Sequence, residues 1–308
     1  MLRHKKKHAC IIRQFRPGCP SPCVSRILNK VLSLLRLICE VVLLSKVAVI
    51  EVEDEAQAAV TRAMDLVGRF DNAQIREIPI VVKVGVFNHK GQRTNYPTVE
   101  VVGGITSAFN EAERIYLVES DNYRGSGAER LQVWKELFSQ QIVPFNLSED
   151  ADTRQVEIAG ETMELSNLLF RPRIFVSTHA LRRYEKGTIL KNLFGLIPIR
   201  KKAVYHKKLV PVILDLFEAI GGVDLAVIDA TRTYSGPAAR KSKKTDVIIA
   251  GRDAVAVETV GATLIGPDPQ KMPIIQEAAN RGLGEGTMDN IEILGTPLED
   301  LKERFQEL

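Results

Sequence analysis

The chain has 308 residues, 45% of them hydrophobic and 26% charged, enough for one large globular domain or two small ones. Its formal net charge of +4 sits at the front: residues 1–46 hold 10 Lys/Arg and one acidic residue, and the remainder holds 32 basic and 37 acidic residues. That mildly acidic remainder excludes a general attraction to polyphosphate, so no nucleic acid is expected as a partner.

The cysteines divide in the same way. Cys10, Cys19, Cys23 and Cys39 all precede residue 40, so the body can offer neither a catalytic thiol nor a cysteine-held zinc or iron–sulfur centre. The apolar stretch 27–44 is interrupted by Asn29, Lys30, Arg36 and Glu40 and is too polar for a membrane span. It also lacks the layout of an export signal, which points to the cytoplasm. Residues 1–44 therefore read as a basic extension, disordered or produced by a mis-assigned start, the true one lying near residues 42–45. A transit peptide or a basic interfacial helix is the rival reading.

From Lys46 the chain alternates strands and helices. KVAVIEV reads as a strand, and residues 53–67 as an amphipathic helix with Ala56, Val60, Met64 and Val67 on one face. IPIVVKVGVF is a second, fully buried strand, and Pro97 sits where a helix would begin. RIYLVES is a third strand, followed by the polar loop SDNYRGSG and a helix over 128–138. IVPFN, RQVEIAG and RIFV are further strands, and a short helix ILKNLFG follows the turn Lys186-Gly187-Thr188. Then come a helix over 206–220, the strands DLAVID and DVIIAG, and helices over 254–265 and 272–281. The strand IEILG and a last helix from Pro297 complete the chain. Helices between β-branched strands predict an α/β fold, a mostly parallel sheet covered on both faces, in one domain over 45–308.

In such a sheet ligands gather at the carboxyl ends of the strands. Lys83, Asn88, His89 and Lys90 follow the second strand, and Glu119, Ser120, Asp121 and Arg124 the third. Ser177, Thr178 and His179 follow RIFV; Asp229, Thr231 and Arg232 follow DLAVID. His179 leads these candidates, because an imidazole directly after a buried strand can serve as general base or metal ligand near neutral pH. Asp229 and Asp121 are its supporting carboxylates. Lys83, Lys186, Lys191 and Asn192 are candidates for binding a carboxylate or phosphate. The turn at Gly187 and Thr188 would add the free N–H groups of a helix N-terminus. The bland alternatives are a loop-bonded histidine, an Asx-turn at Asp229 and a capped helix with surface lysines. Asp253, directly before a helix, reads as its cap. No phosphate-binding loop of the G-x4-GK[ST] type is present, and no G-x-G-x-x-G follows a strand.

The stretch STHALRRYEKGTILKNLFG, with its Thr178-His179 pair and its run Leu190-Lys191-Asn192-Leu193-Phe194-Gly195, resembles the signature of the family called domain of unknown function 362. The resemblance begins near Ser45 and extends to Asp229 and Asp253, which fall where relatives carry aspartates. It implies the α/β fold but no defined reaction. Some relatives carry a ferredoxin-type module; Cys19 and Cys23 alone do not supply its ligand spacing, so no iron–sulfur cluster is expected. Relatives usually show Lys-Pro-Asn where this chain has Lys83-Val84-Gly85, and commonly a lysine where it has Ser177. These departures mark a divergent member and weaken the case for a lysine pair holding the substrate.

Two readings stay open. The first is an enzyme acting on a small carboxylated or phosphorylated metabolite, with a divalent metal as one means of assisting it. The second is a non-catalytic binding or assembly protein that holds an anionic ligand or cofactor in the same cleft.

Overall fold

The computed structural model describes residues 44–90, 95–235 and 241–306. The four cysteines and nearly all of the basic extension, with the expectations placed on them, lie outside the described residues. Those residues fall in one compact unit that begins at Leu44. Its strands are β1 Ser45–Glu51, β2 Ile80–Val84, β3 Ile115–Glu119, β4 Ile142–Asn146, β5 Thr153–Ile158 and β6 Glu161–Ser166. They continue with β7 Ile174–Arg183, β8 Leu225–Ser235, β9 Ser242–Gly251 and β10 Ile291–Gly295. The helices are α1 Ala56–Val67, α2 Asn72–Glu77, α3 Val99–Ala108, α4 Gly127–Leu131 and α5 Ile189–Asn192, then α6 Leu209–Ala219, α7 Ala254–Ile265, α8 Pro273–Asn280 and α9 Leu298–Phe305.

Eight strands form one sheet in the order β10-β1-β9-β8-β7-β2-β3-β4, and β5 and β6 form a separate hairpin. All neighbours in the large sheet pair in parallel except around β9, which runs antiparallel to both β1 and β8. The α/β expectation holds, with one reversed strand. That reversal follows from connection length: few residues separate β8 from β9, too few for the crossover a parallel return needs.

Period-two alternation places the core on both faces. Val47, Val49, Val81, Phe175 and Ile228 belong to one apolar cluster, with α6 and α7. Ala48, Ile50, Val82, Val176 and Val227 belong to the other, with α1 and α3. Helix boundaries follow their side chains. Asp253 accepts from Val255 N and Ala256 N at 2.9 and 3.0 Å to start α7, which stops at Gly266 with φ +97°. Among the described residues no helix is long and apolar enough to cross a membrane.

Three strands run past their apolar segments. RIFV extends through Arg183, DLAVID through Ser235, and DVIIAG begins at Ser242. The polar extensions are held by pairing, with Thr233 and Thr245 hydroxyls 2.8 Å apart between β8 and β9. Thr178 and His179 consequently lie within β7 and not in a loop after it. The hairpin partner β6 and the short helix α2 carry too little apolar periodicity to be read from sequence. The helix expected over 128–138 ends at Leu131 and continues as a 3-10 turn, Gln132–Leu137.

Candidate active-site cleft

Strand order reverses between β2 and β7: from β2 the chain steps outward to β3 and β4, and from β7 to β8 and β9. Such a switch point leaves a crevice at the carboxyl ends of the strands. A cavity of about 610 Å³ opens there, reached by Lys83, Glu119, Arg130, His179, Arg182 and Lys191 among others. Lys83 and Val84 at the end of β2 stand in register with Ser177 and Thr178 of β7.

The floor is a closed polar network. Lys83 Nζ donates to Val84 O at 2.9 Å, Glu119 Oε2 at 3.2 Å and Asn192 Oδ1 at 3.0 Å. Asn192 returns bonds from Nδ2 to Lys83 O at 2.9 Å and to Ser177 Oγ and Thr178 O at 3.1 Å. Arg130 joins Glu119 at 3.3 Å and donates to Val86 O and Ser120 O. Burial alone would raise the Glu119 pKa, but Lys83 and Arg130 outweigh it and hold the carboxylate below its ordinary range. Burial draws Lys83 down, opposed by Glu119. Gly195 belongs to this floor, because a Cβ there would stand 2.7 Å from both Glu119 Oε1 and Lys83 Nζ. Ser177 stands in register with Lys83; its hydroxyl oxygen accepts from Asn192 and its O–H donates to Ile189 O at 3.4 Å.

His179 lies directly over backbone. Its Nδ1 is 2.8 Å from Ala180 O, an acceptor only, so Nδ1 carries the proton and Nε2 keeps its lone pair. Burial first, then the Arg182 cation, hold the imidazole well below the usual histidine range. The ring packs against Gly85, where a Cβ would meet His179 Cδ2 at 1.9 Å. Gly85 thus leaves room for the histidine.

Two cations complete the cleft. Arg182, 7% exposed, forms no hydrogen bond or ion pair with any described residue; its guanidinium faces the Tyr184 ring at 5.6 Å. Between Ala180 and Arg182 the pairing of β7 with β8 shifts, the extra residues falling on β8, and Arg182 lines the same cavity as His179. Lys191 likewise has no hydrogen-bonded partner there and lies 4.1 Å from the Phe194 ring centroid. Burial, then Arg182, Lys186 and Lys83, bring its pKa down to about 7. Lys202 donates to Asp121 O, and burial brings its ammonium down to about 8.

The expected site residues divide. His179, Lys83, Lys191 and Asn192 meet in the cleft. Asp229 does not: it is in register with Ala180, so it points to the opposite face from His179. There it accepts from Thr98 N at 2.7 Å, at the start of α3, and from Thr231. Asp121 accepts from Gly127 N and Asn146 Nδ2, both at 2.9 Å, and from Arg200 at 3.0 Å, which fixes the loop beside the cleft. Lys186 is exposed and outside the cavity lining, close enough to repel Lys191. Gly187 and Thr188 are buried, and the helix N-terminus they were expected to open to a ligand is already occupied. Glu258 accepts from Thr188 N at 2.7 Å and Leu190 N at 2.9 Å. Arg130 and Arg182 were not among the residues expected at the site.

Among the described residues no group of three His, Cys, Asp or Glu side chains could hold a metal ion. The residues present do not fit a resident divalent cation, because the cleft's surplus charge is positive. A family model described as Domain of unknown function (DUF362) matches residues 80–263, which run from the start of β2 into α7 and contain the whole floor of the cleft. No curated protein matches the chain.

Proposed function

The chain belongs to the DUF362 family, and we propose that it is an enzyme that binds a small carboxylated or phosphorylated metabolite at the β2–β7 switch point. The observation that carries this reading is the pair of cations, Arg182 and Lys191, at the cavity: among the described residues neither forms an ion pair, and Glu258 acts on Arg182 only from beyond contact distance. Lys191 is half-buried and Arg182 buried, and a buried guanidinium without a direct partner costs several kcal/mol, roughly, unless a ligand supplies the counter-charge. In this reading Arg182 and Lys191 hold the anionic group, the Lys83–Glu119–Arg130 floor keeps Asn192 and the short helix in place, and His179 Nε2 accepts a proton from the bound molecule. One observation favours the rival, a non-catalytic binding or assembly protein: neither carboxylate expected beside His179 reaches the cleft.

Thermal melting with phosphate, citrate and sugar phosphates tests the reading, since a ligand that binds only the folded state raises the melting temperature. The parent should shift upward with at least one of these anions. Lys191→Ala and Arg182→Met should lose most of the shift, and Arg182→Met should melt no lower than the parent because an unpaired charge has gone. Lys302→Ala, a change at an exposed lysine paired with Glu299, should keep the shift. An unresponsive parent, or full shifts in both variants, defeats the proposal. For a ligand found in this way, His179→Gln should keep affinity and abolish turnover; a parent with no turnover points to the binding protein.

A further inference from the structure

We infer that the molecule held in this cleft is an anion attached to a planar aromatic body, an aryl phosphate or aryl carboxylate in class. The inference rests on the anion-binding reading above and adds what lies beyond the anionic group. A cavity of about 610 Å³ is far larger than an inorganic anion and falls within the range of sites that enclose an organic ligand.

Its lining also carries a group of rings and exposed apolar side chains. Among the described residues six large hydrophobic side chains are exposed, and three of them, Phe87, Tyr123 and Val204, line this one cavity. Tyr123 and Val204 are 64% and 65% exposed, and Arg124 reaches over the Tyr123 ring at 4.9 Å and the Phe87 ring at 5.9 Å. Apolar groups gathered at one cavity mark a place for a ligand. Phe87 and Tyr123 meet edge to face with ring centroids 5.4 Å apart. Phe194 and His206, also lining residues, stack at 5.6 Å with their planes 29° apart. Tyr184 adds a further ring beside Arg182. Aromatic residues make up only 6% of the chain, so four Phe and Tyr side chains on one cavity are a local enrichment that favours a flat π-face over an aliphatic chain. Phe87 and Tyr123 come from the loops after β2 and β3, whereas the unpaired cations come from β7 and α5. A ligand that engages both groups needs a charged end and a ring end.

Calorimetric titration of the full chain with inorganic phosphate, 1-naphthyl phosphate and cyclohexyl phosphate decides the matter. Naphthyl phosphate should bind at least about tenfold tighter than phosphate, the gain expected from burying a ring of that size. It should also bind more tightly than cyclohexyl phosphate. Tyr123→Ser, at an exposed position, should shrink the ratio of naphthyl phosphate to phosphate affinity, and Arg182→Met should weaken both ligands. Phosphate binding with no naphthyl advantage, or with an equal cyclohexyl advantage, overturns the aromatic inference and leaves the anion site standing. Failure of all three ligands removes the anion site as well.

Discussion

At the scale of single residues the cleft holds two cations that make no ion pair with a described residue, and Lys191 makes this measurable. Its pKa of about 7 lies below the ordinary lysine value of 10.5, which the unfolded chain restores. Between those limits the unfolded state binds the extra proton, so the ligand-free protein should gain stability as pH rises through that window. Anion binding needs the charged ammonium, so the melting shift given by phosphate should shrink as pH rises from about 6 to about 9, with a midpoint near the Lys191 pKa. A shift that stays constant across that range, or grows, would remove Lys191 from the binding step. His179 supplies a second test through Gly85. In Gly85→Ala the new Cβ would collide with the imidazole, and the ring cannot leave without breaking the Nδ1–H bond to Ala180 O. Overpacking of this kind costs about 1–3 kcal/mol. Chemical denaturation of Gly85→Ala, His179→Ala and the double variant should show the double variant recovering most of the loss. Additive losses would mean that the contact does not set the stability of either residue.

At the scale of elements, one residue of parity decided how much of the site the sequence disclosed. The strands were legible because their apolar runs are long and β-branched, and Lys83, His179, Lys191 and Asn192 were legible because they fall at strand ends or in the Thr-His and Leu-Lys-Asn-Leu-Phe-Gly segments. Asp229 was placed with them on the same logic. Its register with Ala180 could not be read, however, because pairing offset is set by neighbours far away in sequence. Arg182 was hidden for a related reason: a polar residue just beyond an apolar run reads as solvated until the strand is seen to continue. Glu258, inside α7, is the acceptor that holds α5. Two N–H groups, on Thr188 and Leu190, converge on its carboxylate, and Gly187 turns the chain toward it with φ +88°. A Cβ on Gly187 would approach the Glu258 carboxyl carbon to 3.2 Å while also straining the backbone. Gly187→Ala should therefore destabilise by about 1–2 kcal/mol, the cost of a left-handed non-glycine residue. Glu258→Ala should cost about 2–3 kcal/mol by stranding buried donors, and should also weaken phosphate binding because α5 carries Lys191. Urea denaturation with parallel titration separates the two effects. A Glu258→Ala protein that keeps both stability and affinity would show that the α5 cap is dispensable.

At the scale of the whole molecule, the cleft depends on a sheet whose two halves grow outward from β2 and β7, and the half that begins at β7 is closed by β1. That first strand lies between β9 and β10, antiparallel to one and parallel to the other. Val47 and Val49 enter one core cluster, and Ala48 and Ile50 the other. Ser45 Oγ donates to Asp253 at 2.7 Å, the same carboxylate that starts α7. Chain removal should therefore have a sharp boundary. Deleting residues 1–43 leaves every described member of both clusters in place and should leave a protein that melts cooperatively and keeps its phosphate shift. Deleting residues 1–52 removes an interior strand, strands the edges of β9 and β10, and takes four fully or nearly buried side chains out of the two clusters. At about 1.5–3 kcal/mol for each large apolar side chain and less for Ala48, the loss is comparable to the whole stability of an ordinary domain. Circular dichroism and thermal melting of the two truncations would show a cooperative transition for the first and none for the second. An aggregated shorter deletion would mean that the basic segment contributes to folding; a folded longer one would mean that β1 is not needed to close the sheet.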